Sequence, residues 1–302
     1  MRFAQDKRNT PFMERINLHD YDLRGEGSTA QTYYSHDGKR LAKLYFNKIS
    51  AETATHEFEM AQIVQRLGIP TPSPIRLITD GRRIGTEFEL FAPVNKRSFA
   101  RIFSQEPEQV EPLSREFARM ALHLHQTPAV GLDASPTVST CLPSMKSMVQ
   151  HWVDRTDNIP DDILAVISDT LSETPDTPTC LHGDLHPGNV ITDGVRRVWI
   201  DVGDFAYGVP EWDLASMFYN CNMLTDERIK ELYHIDAATM RSHWYYFLCE
   251  YYGFTTPEEC DRLSASLHRL AAVKLFFMTA KNTNGAPLSD DIAHMFRLLV
   301  NA

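Results

Sequence analysis

The sequence predicts an α+β protein with two parts: a small antiparallel sheet that carries one helix, and a larger, mostly helical part. Two observations support this division. Asp-Gly pairs flanked by strand-like runs, which are typical of β-hairpins, occur twice before residue 92. Beyond residue 93, apolar residues mostly recur at helical spacing. We therefore assign residues 1–92 to an N-terminal lobe and residues 93–302 to a C-terminal helical lobe.

The two N-terminal hairpins are predicted to turn at Asp37-Gly38 and at Asp80-Gly81. The first joins strands over 32–36 and 41–46, and the second joins strands over 75–79 and 84–91. Between the hairpins, residues 51–67 predict a helix that packs on the sheet. Ser50 is placed to cap the helix, and Gly68 and Pro70 are placed to end it. Its apolar stripe consists of Ala54, Phe58, Ala61 and Val64.

The C-terminal part contains two clear amphipathic helices and one aromatic run. The helical stripes are Leu113, Phe117, Met120, Ala121 and Leu124, and Leu267, Leu270, Ala271, Leu275 and Met278. Residues 244–252 read WYYFLCEYY. This run predicts a core helix, because aromatic side chains usually serve packing. The alternative is a cage that binds a cationic substrate by cation–π contact.

Composition indicates a folded, cytoplasmic protein. The 302 residues are 43% hydrophobic, which is enough for a substantial core. The first residues contain no apolar stretch of signal-peptide length, and no segment approaches the roughly 20 apolar residues that cross a bilayer. The five cysteines are odd in number and lack any C-x-x-C pair, so a disulfide framework and a zinc knuckle are not predicted. We expect no membrane partner.

Charge differs strongly between the two parts. The whole chain carries a net charge of −10, of which residues 1–92 contribute about +1 and the remainder about −11. An acidic surface repels the phosphates of nucleic acid, so we expect no nucleic-acid partner. A cationic or neutral small substrate is easier to accommodate in the C-terminal part.

A third Asp-Gly pair, Asp193-Gly194, follows the segment 181–189, which reads LHGDLHPGN, and precedes Ile200-Asp201. A tight turn there would pair residues 190–192 with residues 195–200. Asn189 and Asp201 would then return to the same end of the ribbon, beside Asp184. The sequence therefore predicts that two carboxylates and a carboxamide converge.

Such a set suits phosphoryl transfer, where positioning and charge neutralisation supply most of the rate. Asp184 could orient an acceptor hydroxyl and take its proton. Asn189 and Asp201 offer the oxygen ligands that Mg²⁺ prefers. The spacing H-x-D-x₄-N from His182 to Asn189 matches the H-R-D-x₄-N catalytic loop of kinases.

The run HGDLHPGN, the later Ile200-Asp201 and the segment 210–215, PEWDLA, together resemble the aminoglycoside phosphotransferase and choline kinase family. This resemblance implies a bilobal protein-kinase-like fold and an ATP-dependent small-molecule kinase, with Mg²⁺ as cofactor and GTP as an alternative donor. It implies transfer of the γ-phosphate to a hydroxyl. Acceptors in this wider group include aminoglycosides, choline, homoserine, methylthioribose and sugars.

The resemblance also implies roles for residues outside the catalytic loop. Lys43 resembles the lysine that binds the nucleotide phosphates, and Glu57 resembles its carboxylate partner. The nucleotide is expected between the lobes, under a loop that contains Gly25, Gly27 and Ser28, with its adenine at the strand end from Glu89 to Phe91. Acids that could meet the substrate are Asp204, Glu211 and Glu250.

Three other interpretations remain. The segment 25–30, GEGSTA, fits the dinucleotide fingerprint G-x-G-x-x-G/A, but a hairpin rather than a helix follows it, which favours a loop that covers phosphates. Cys180, His182 and His186 could form a zinc hydrolase site, although Pro187-Gly188 argues against the helix that such a site needs. A catalytically weak, kinase-like sensor or scaffold is the non-enzymatic alternative.

Overall fold

The structure is a computed structural model that describes residues 13–26, 29–46, 51–91, 97–129 and 142–301. The chain divides into two compact units. The sheet-rich unit comprises Met1–Lys96 and Thr192–Gly203, and the helical unit comprises Arg97–Ile191 and Asp204–Ala302. The predicted α+β class is confirmed, with strands concentrated in the first part of the chain and helices in the second.

The sheet-rich unit contains a six-stranded sheet and one helix. The elements are β1 (Glu14–Arg15), β2 (Tyr21–Glu26), β3 (Ala30–Ser35), β4 (Arg40–Tyr45), α1 (Ala51–Arg66), β5 (Pro74–Thr79) and β6 (Ile84–Glu89). The strand order is β1-β5-β6-β4-β3-β2. Both predicted hairpins form, as β3/β4 and β5/β6. The strands within the predicted sheet, residues 20–92, pair antiparallel, and the additional short strand β1 pairs with β5 in parallel.

Helix α1 packs against β5 and β6 through the predicted apolar stripe. Ala54, Ala61 and Val64 are fully buried and Phe58 is half-buried. The proposed cap, Ser50, lies outside the described residues. Glu57 lies at the edge of the stripe with 13% of its side chain exposed.

The helical unit supplies most of the remaining secondary structure. In chain order, the elements after β6 are β7 (Arg97–Ser98), α2 (Phe99–Gln105), α3 (Val110–Gln126), α4 (Met145–Arg155), α5 (Asp161–Glu173), β8 (Cys180–Leu181), β9 (Val190–Thr192), β10 (Arg197–Trp199), β11 (Ala206–Tyr207), α6 (Glu211–Phe218), α7 (Asp226–Tyr233), α8 (Ala237–Tyr252), α9 (Pro257–Asn282) and α10 (Asp290–Val300). A π-helical turn, Tyr219–Met223, follows α6. Two small sheets have the orders β10-β9-β7 and β11-β8.

Helices α3, α8 and α9 form much of the core of the helical unit. Both predicted stripes are largely buried, with Met120 and Met278 only half-buried. The aromatic run lies in α8, where Trp244 and Phe247 are buried, which confirms the predicted core helix. Within the described ranges, no helix is long and apolar enough to cross a membrane.

Two turns of the sheet-rich unit have the same sequence pattern, Thr-Asp-Gly-x-Arg, and the same hydrogen bonds. They are 79–83, which links β5 to β6, and 192–196, which links β9 to β10. In each, one aspartate oxygen accepts two backbone N–H groups at 2.6–2.9 Å and the other accepts the arginine Nε. The threonine hydroxyl donates to the arginine carbonyl and accepts from the glycine N–H. Side-chain bonds within five residues therefore close both turns.

His243 lies in the aromatic core of the helical unit. It is fully buried beside Phe103 and Phe117, and its Nδ1 lies 2.8 Å from Ser114 Oγ. Its Nε2 has no hydrogen-bond partner among the described residues. Burial, with a smaller contribution from His186, lowers the pKa of His243 from 6.5 to about 3.

Stability is therefore expected to fall on mild acidification. The unfolded chain takes up this proton below about pH 6.5, whereas the folded protein does so only near pH 3. The stabilisation by neutral His243 is thus complete above pH 6.5 and is lost as the pH falls toward 3. Between pH 7 and pH 5 the expected loss is about 2 kcal/mol.

The free energy of unfolding in urea, measured at pH 7 and at pH 5, would test this loss of stability. His243→Phe should remove most of it, whereas His294→Gln, which alters an exposed residue of α10, should leave it unchanged. The same pH dependence in wild type and His243→Phe would contradict the assignment.

Candidate active site

The loop that follows β8 is held by a buried carboxylate. The backbone N–H groups of His182 and Gly183 donate to Asp213 at 2.7 and 2.8 Å. Asp213 lies in the first turn of α6 and is fully buried. The predicted segment PEWDLA therefore forms a helix start whose aspartate binds the backbone of the predicted catalytic loop.

Asp213 also contacts His125, which in turn contacts Tyr251, and the sequence reasoning missed both residues. His125 Nε2 lies 3.1 Å from the Asp213 carboxylate, and His125 Nδ1 lies 2.7 Å from the Tyr251 hydroxyl. These contacts connect α3, α6 and α8. No local pattern could have revealed them, since the partners of Asp213 are distant in sequence.

Gly183 is fixed by its backbone geometry and by a buried lysine. Its φ is +81°, and a Cβ there would collide with the Asp204 carbonyl oxygen, so the position requires glycine. Lys274 of α9 is 2% exposed and donates from Nζ to the Gly183 carbonyl at 2.5 Å. Burial lowers the pKa of Lys274 despite the nearby aspartates. A charged residue within the apolar stripe of α9 was the signal that sequence reasoning overlooked.

Asp184 lies directly beyond this anchored backbone. Its N–H donates to His182 Nδ1 at 3.3 Å, and its carboxylate lies 3.5 Å from His186 Nε2. Burial alone would raise the pKa of Asp184, but His186, and to a smaller degree His182 and Lys274, lower it well below its usual range. The carboxylate is therefore ionised at neutral pH. As a weak base, it is better suited to orienting a hydroxyl than to removing its proton early.

His186, which has no assigned role in the kinase interpretation of the sequence, contacts Asp184. Its Nδ1 accepts a hydrogen bond from the Gly188 N–H at 3.1 Å. With Nδ1 accepting, the ring N–H that remains for donation is at Nε2, the atom that lies 3.5 Å from Asp184. His186 therefore donates toward one carboxylate oxygen and helps to fix the carboxylate's orientation.

Asn189 is brought to the same loop by the 3₁₀ turn Pro187–Asn189. It is 4% exposed, and its Nδ2 donates to the Asp184 carbonyl at 2.9 Å. This bond orients the carboxamide so that its oxygen is the atom left for a ligand. The structure thus places Asp184 and Asn189 together in the helical unit.

The sheet-rich unit holds a separate cluster around Lys43, in the middle of β4 between β3 and β6. Lys43 Nζ lies 2.7 Å from Glu57 Oε1 and 2.6 Å from Asp201 Oδ1, and the Tyr45 hydroxyl donates to Glu57. Burial alone would lower the pKa of Lys43, but Asp201 and Glu57 outweigh burial and raise it. Lys43 is therefore a cation between two carboxylates.

Asp201 is the more exposed of the two carboxylates, with 54% of its side chain accessible. Its backbone is left-handed, with φ at +55°, an uncommon conformation that aspartate tolerates better than most residues. Asp201 belongs to the sheet-rich unit, whereas Asp184 and Asn189 belong to the helical unit. The convergence of all three stays a prediction.

The residues predicted to contact the nucleotide lie at several places in the sheet-rich unit. Gly25 is in β2, while Gly27 and Ser28 lie outside the described residues. The N–H groups of Glu89 and Leu90 donate to backbone carbonyls within the unit. The Phe91 ring lies 4.7 Å from the guanidinium carbon of Arg196. Contacts of these residues with a nucleotide stay predictions.

The three candidate substrate acids all lie in the helical unit. Asp204 is largely buried and forms an ion pair with Lys281. Glu250 of α8 pairs with Arg119 at 2.7 Å and with Arg115 at 3.6 Å. Glu211 is exposed in the first turn of α6. Glu250 would have to leave its arginines before it could bind a cationic substrate.

The alternative zinc site finds no support in the part of the chain that the structure describes. No group of three or more histidine, cysteine, aspartate or glutamate side chains is assembled there to hold a metal ion. Cys180 is fully buried, and burial raises the pKa of its thiol to about 12, which disfavours the thiolate that would bind zinc. His182 Nδ1 and His186 Nδ1 both accept backbone N–H groups.

The fold is that of protein-kinase-like small-molecule phosphotransferases. Amicoumacin kinase hAmiN, solved with AMP-PNP, Ca²⁺ and Ami, matches with a TM-score of 0.57 at 15% identity, over 95% of this chain and 90% of that one. A thermostable mutant of aminoglycoside phosphotransferase APH(4)-Ia, in complex with AMP-PNP and hygromycin B, matches with a TM-score of 0.58 at 12% identity, over 93% and 92%. A choline/ethanolamine kinase family protein from Mesorhizobium loti matches with a TM-score of 0.51 at 13% identity, over 93% of this chain and 87% of that one.

The chain itself belongs to the phosphotransferase enzyme family (APH), whose sequence signature matches residues 21–245. The matched range contains Lys43, Asp184, Asn189, Asp201 and Asp213. A search of curated proteins found no match. The family resemblance predicted from the catalytic-loop sequence is confirmed.

Proposed function

We propose that this protein is an ATP-dependent kinase that transfers the γ-phosphate to a hydroxyl group of a small molecule. The observation that carries the proposal is the ionised Asp184 on an anchored loop, with Asn189 bonded to the same backbone. An oriented carboxylate beside an amide oxygen is what in-line attack by a hydroxyl requires. Residues 1–92 would bind the nucleotide, and residues 93–302 would supply the loop and the acceptor site.

The Lys43 cluster suits the binding of nucleotide phosphates. Lys43 stays protonated, and Glu57, with 13% of its side chain exposed, holds its ammonium group in place. A cation held in this way can neutralise charge on phosphate oxygens without reorganising during the reaction. Glu57 is therefore a positioning residue that acts through Lys43.

Two residues fit the hard-oxygen donor set of Mg²⁺. The Asn189 carboxamide presents its oxygen because Nδ2 is already bonded, and the Asp201 carboxylate is half-exposed. Mg²⁺ is usually bound by one or two such side chains together with substrate phosphates. A metal bound there would neutralise charge on the transferred phosphoryl group. Asp184, in the same proposal, accepts the hydrogen bond of the acceptor hydroxyl.

The acceptor is proposed to be a small, amine-bearing alcohol such as an aminoglycoside, choline or an amino alcohol, with sugars as the wider class. The net charge of about −11 on residues 93–302 favours a cationic ligand. An acceptor screen that follows ADP release, with Mg²⁺-ATP and Mg²⁺-GTP in parallel, tests the proposal. Thermal stabilisation by nucleotide without turnover on any acceptor would instead favour the sensor or scaffold.

Lys43→Met is expected to raise the KM for the nucleotide about tenfold or more and to lower kcat. The variant removes the charge that would meet the phosphates and leaves Glu57 and Asp201 without their shared cation. Steady-state kinetics at varied nucleotide concentration measure both changes.

Lys39→Met is the matched control, because Lys39 is an exposed lysine in the turn before β4. Its kinetic constants should stay close to those of the wild type. An unchanged nucleotide KM in Lys43→Met would remove Lys43 from the proposed phosphate site.

A further inference from the structure

A cavity of about 810 Å³ in the sheet-rich unit is rich in arginine. It lies where β1 and the following 3₁₀ turn meet the tip of the β5/β6 hairpin. The lining residues are Arg15, Ile16, Asn17, Leu18, His19, Asp80, Arg82 and Arg83. None of them belongs to the proposed kinase site.

The turn at the tip of this hairpin needs only one of these arginines. Arg83 closes it by donating from Nε to Asp80 at 2.8 Å, and it is held further by Gln31 and the Tyr33 hydroxyl. The matching turn at 192–196 closes with the same bonds, yet it has Val195, which is 80% exposed, where this turn has Arg82. The side chain of Arg82 is therefore not needed to form the turn, to which Arg82 contributes only its backbone N–H.

Arg15 reaches the same turn from another part of the chain. Its Nη2 lies 3.3 Å from the point where a Cβ on Gly81 would be, and Gly81 has a φ of +93°. The absence of a side chain at this position lets the guanidinium lie against the turn. Arg15 and Arg82 are both exposed, and neither forms an ion pair within the described ranges.

The charges of the cavity are unbalanced. Three arginines line it with a single carboxylate, Asp80, which Arg83 already neutralises. Two guanidinium groups that line one concavity, with no carboxylate partner among the described residues, make its potential positive and favour an anion there. Guanidinium forks match the oxygens of phosphate groups, to which they can donate pairs of hydrogen bonds.

We propose that this cavity is a second ligand site, which binds a small phosphate-bearing anion through Arg15 and Arg82. Arg83 forms its fixed wall, and the apolar Ile16 and Leu18 can accept a short organic portion. The ligand class is a pyrophosphate or a phosphate ester. The site is independent of the proposed kinase activity, because it shares no residue with it.

The test is calorimetric titration of the full-length protein with inorganic pyrophosphate at low salt and without divalent metal. Arg15→Gln/Arg82→Gln is expected to weaken binding by at least about tenfold, because two charge-assisted contacts are lost. The charge-matched control is Arg24→Gln/Arg241→Gln, which alters two exposed arginines that each lie beside an aspartate. The control should bind like the wild type.

The kinase site must be separated from this one, since it could also bind pyrophosphate. Titration is therefore repeated in Lys43→Met, where the cavity should still bind pyrophosphate with the wild-type affinity. Equal weakening in both double-arginine variants, or loss of binding in Lys43→Met alone, would overturn the proposal. A failure of kinase activity would leave this result unaffected.

Two further titrations define the ligand and the need for both arginines. In the first, the protein is titrated with glycerol 3-phosphate instead of pyrophosphate. Comparing the two dissociation constants shows whether the site prefers a phosphate ester or an inorganic anion. Absence of binding by both would reject the site. Val195→Arg gives the matching turn an arginine but no counterpart of Arg15, so it should add no binding. A new binding site in Val195→Arg would show that one turn arginine suffices, which contradicts the proposal.

Discussion

Asp184→Asn is expected to lower turnover by about 10²- to 10⁴-fold while leaving nucleotide binding nearly intact. The substitution keeps the size of the side chain but removes the negative charge that would orient the acceptor hydroxyl. It also leaves His186 without the carboxylate that it now contacts. Because Asp184 contacts neither Lys43 nor Glu57 in the proposal, the nucleotide should still bind.

Single-turnover kinetics with a productive acceptor, together with a nucleotide-binding titration, measure the two effects separately. Asp162→Asn is the control, since Asp162 is an exposed carboxylate paired with Arg297 on the helical unit. Asp201→Ala provides a contrast, because it should weaken metal-dependent nucleotide binding as well. Turnover of Asp184→Asn within about twofold of the wild type would refute the assigned mechanism.

Asp213→Ala is expected to destabilise the protein by about 3–5 kcal/mol. The change leaves the N–H groups of His182 and Gly183 buried without their acceptor, and it removes the partner of His125. Because the same N–H groups hold the backbone just before Asp184, activity should fall even at temperatures where the variant is folded. The free energy of unfolding in urea measures the first effect.

Asp169→Ala is a suitable comparison for Asp213→Ala. Asp169 is an exposed aspartate of α5 that lies 3.9 Å from Arg269, and its replacement should cost no more than about 0.5 kcal/mol. If both variants lost the same small amount of stability, Asp213 would not anchor the loop. A stable but inactive Asp213→Ala would limit its function to positioning.

Local features of the fold could be predicted from the sequence. The Asp-Gly turns specify both N-terminal hairpins because the bonds that close them are local, within residues 35–40 and 79–83. The 3.6-residue periodicity specifies α1, α3 and α9. Strand β1 was missed, since two residues carry no periodicity and their partner β5 is about sixty residues away. No sequence pattern could therefore have predicted its parallel pairing with β5.

In the candidate site, too, the residues within one contiguous motif could be predicted, whereas those that come from distant helices could not. The loop from His182 to Asn189 is one contiguous motif, so its aspartate and asparagine were identified from spacing alone. Lys43 and Glu57 were named through the family resemblance, and the structure brings them into contact. His125 and Lys274 were missed because each reaches the loop from a distant helix, where only the tertiary packing of α3 and α9 places it.

The left-handed backbone at Asp201 limits which replacements could ever be tolerated there. Glycine and asparagine adopt that conformation readily, whereas β-branched and most other side chains would be strained in it. Two requirements therefore restrict position 201: the residue must tolerate a left-handed backbone, and in the proposed metal site it must supply a carboxylate. If Asp201 has the proposed role, Asn and Gly are the replacements that would remove its charge with the least backbone strain, and a relative with either residue at this position would be expected to have lost activity.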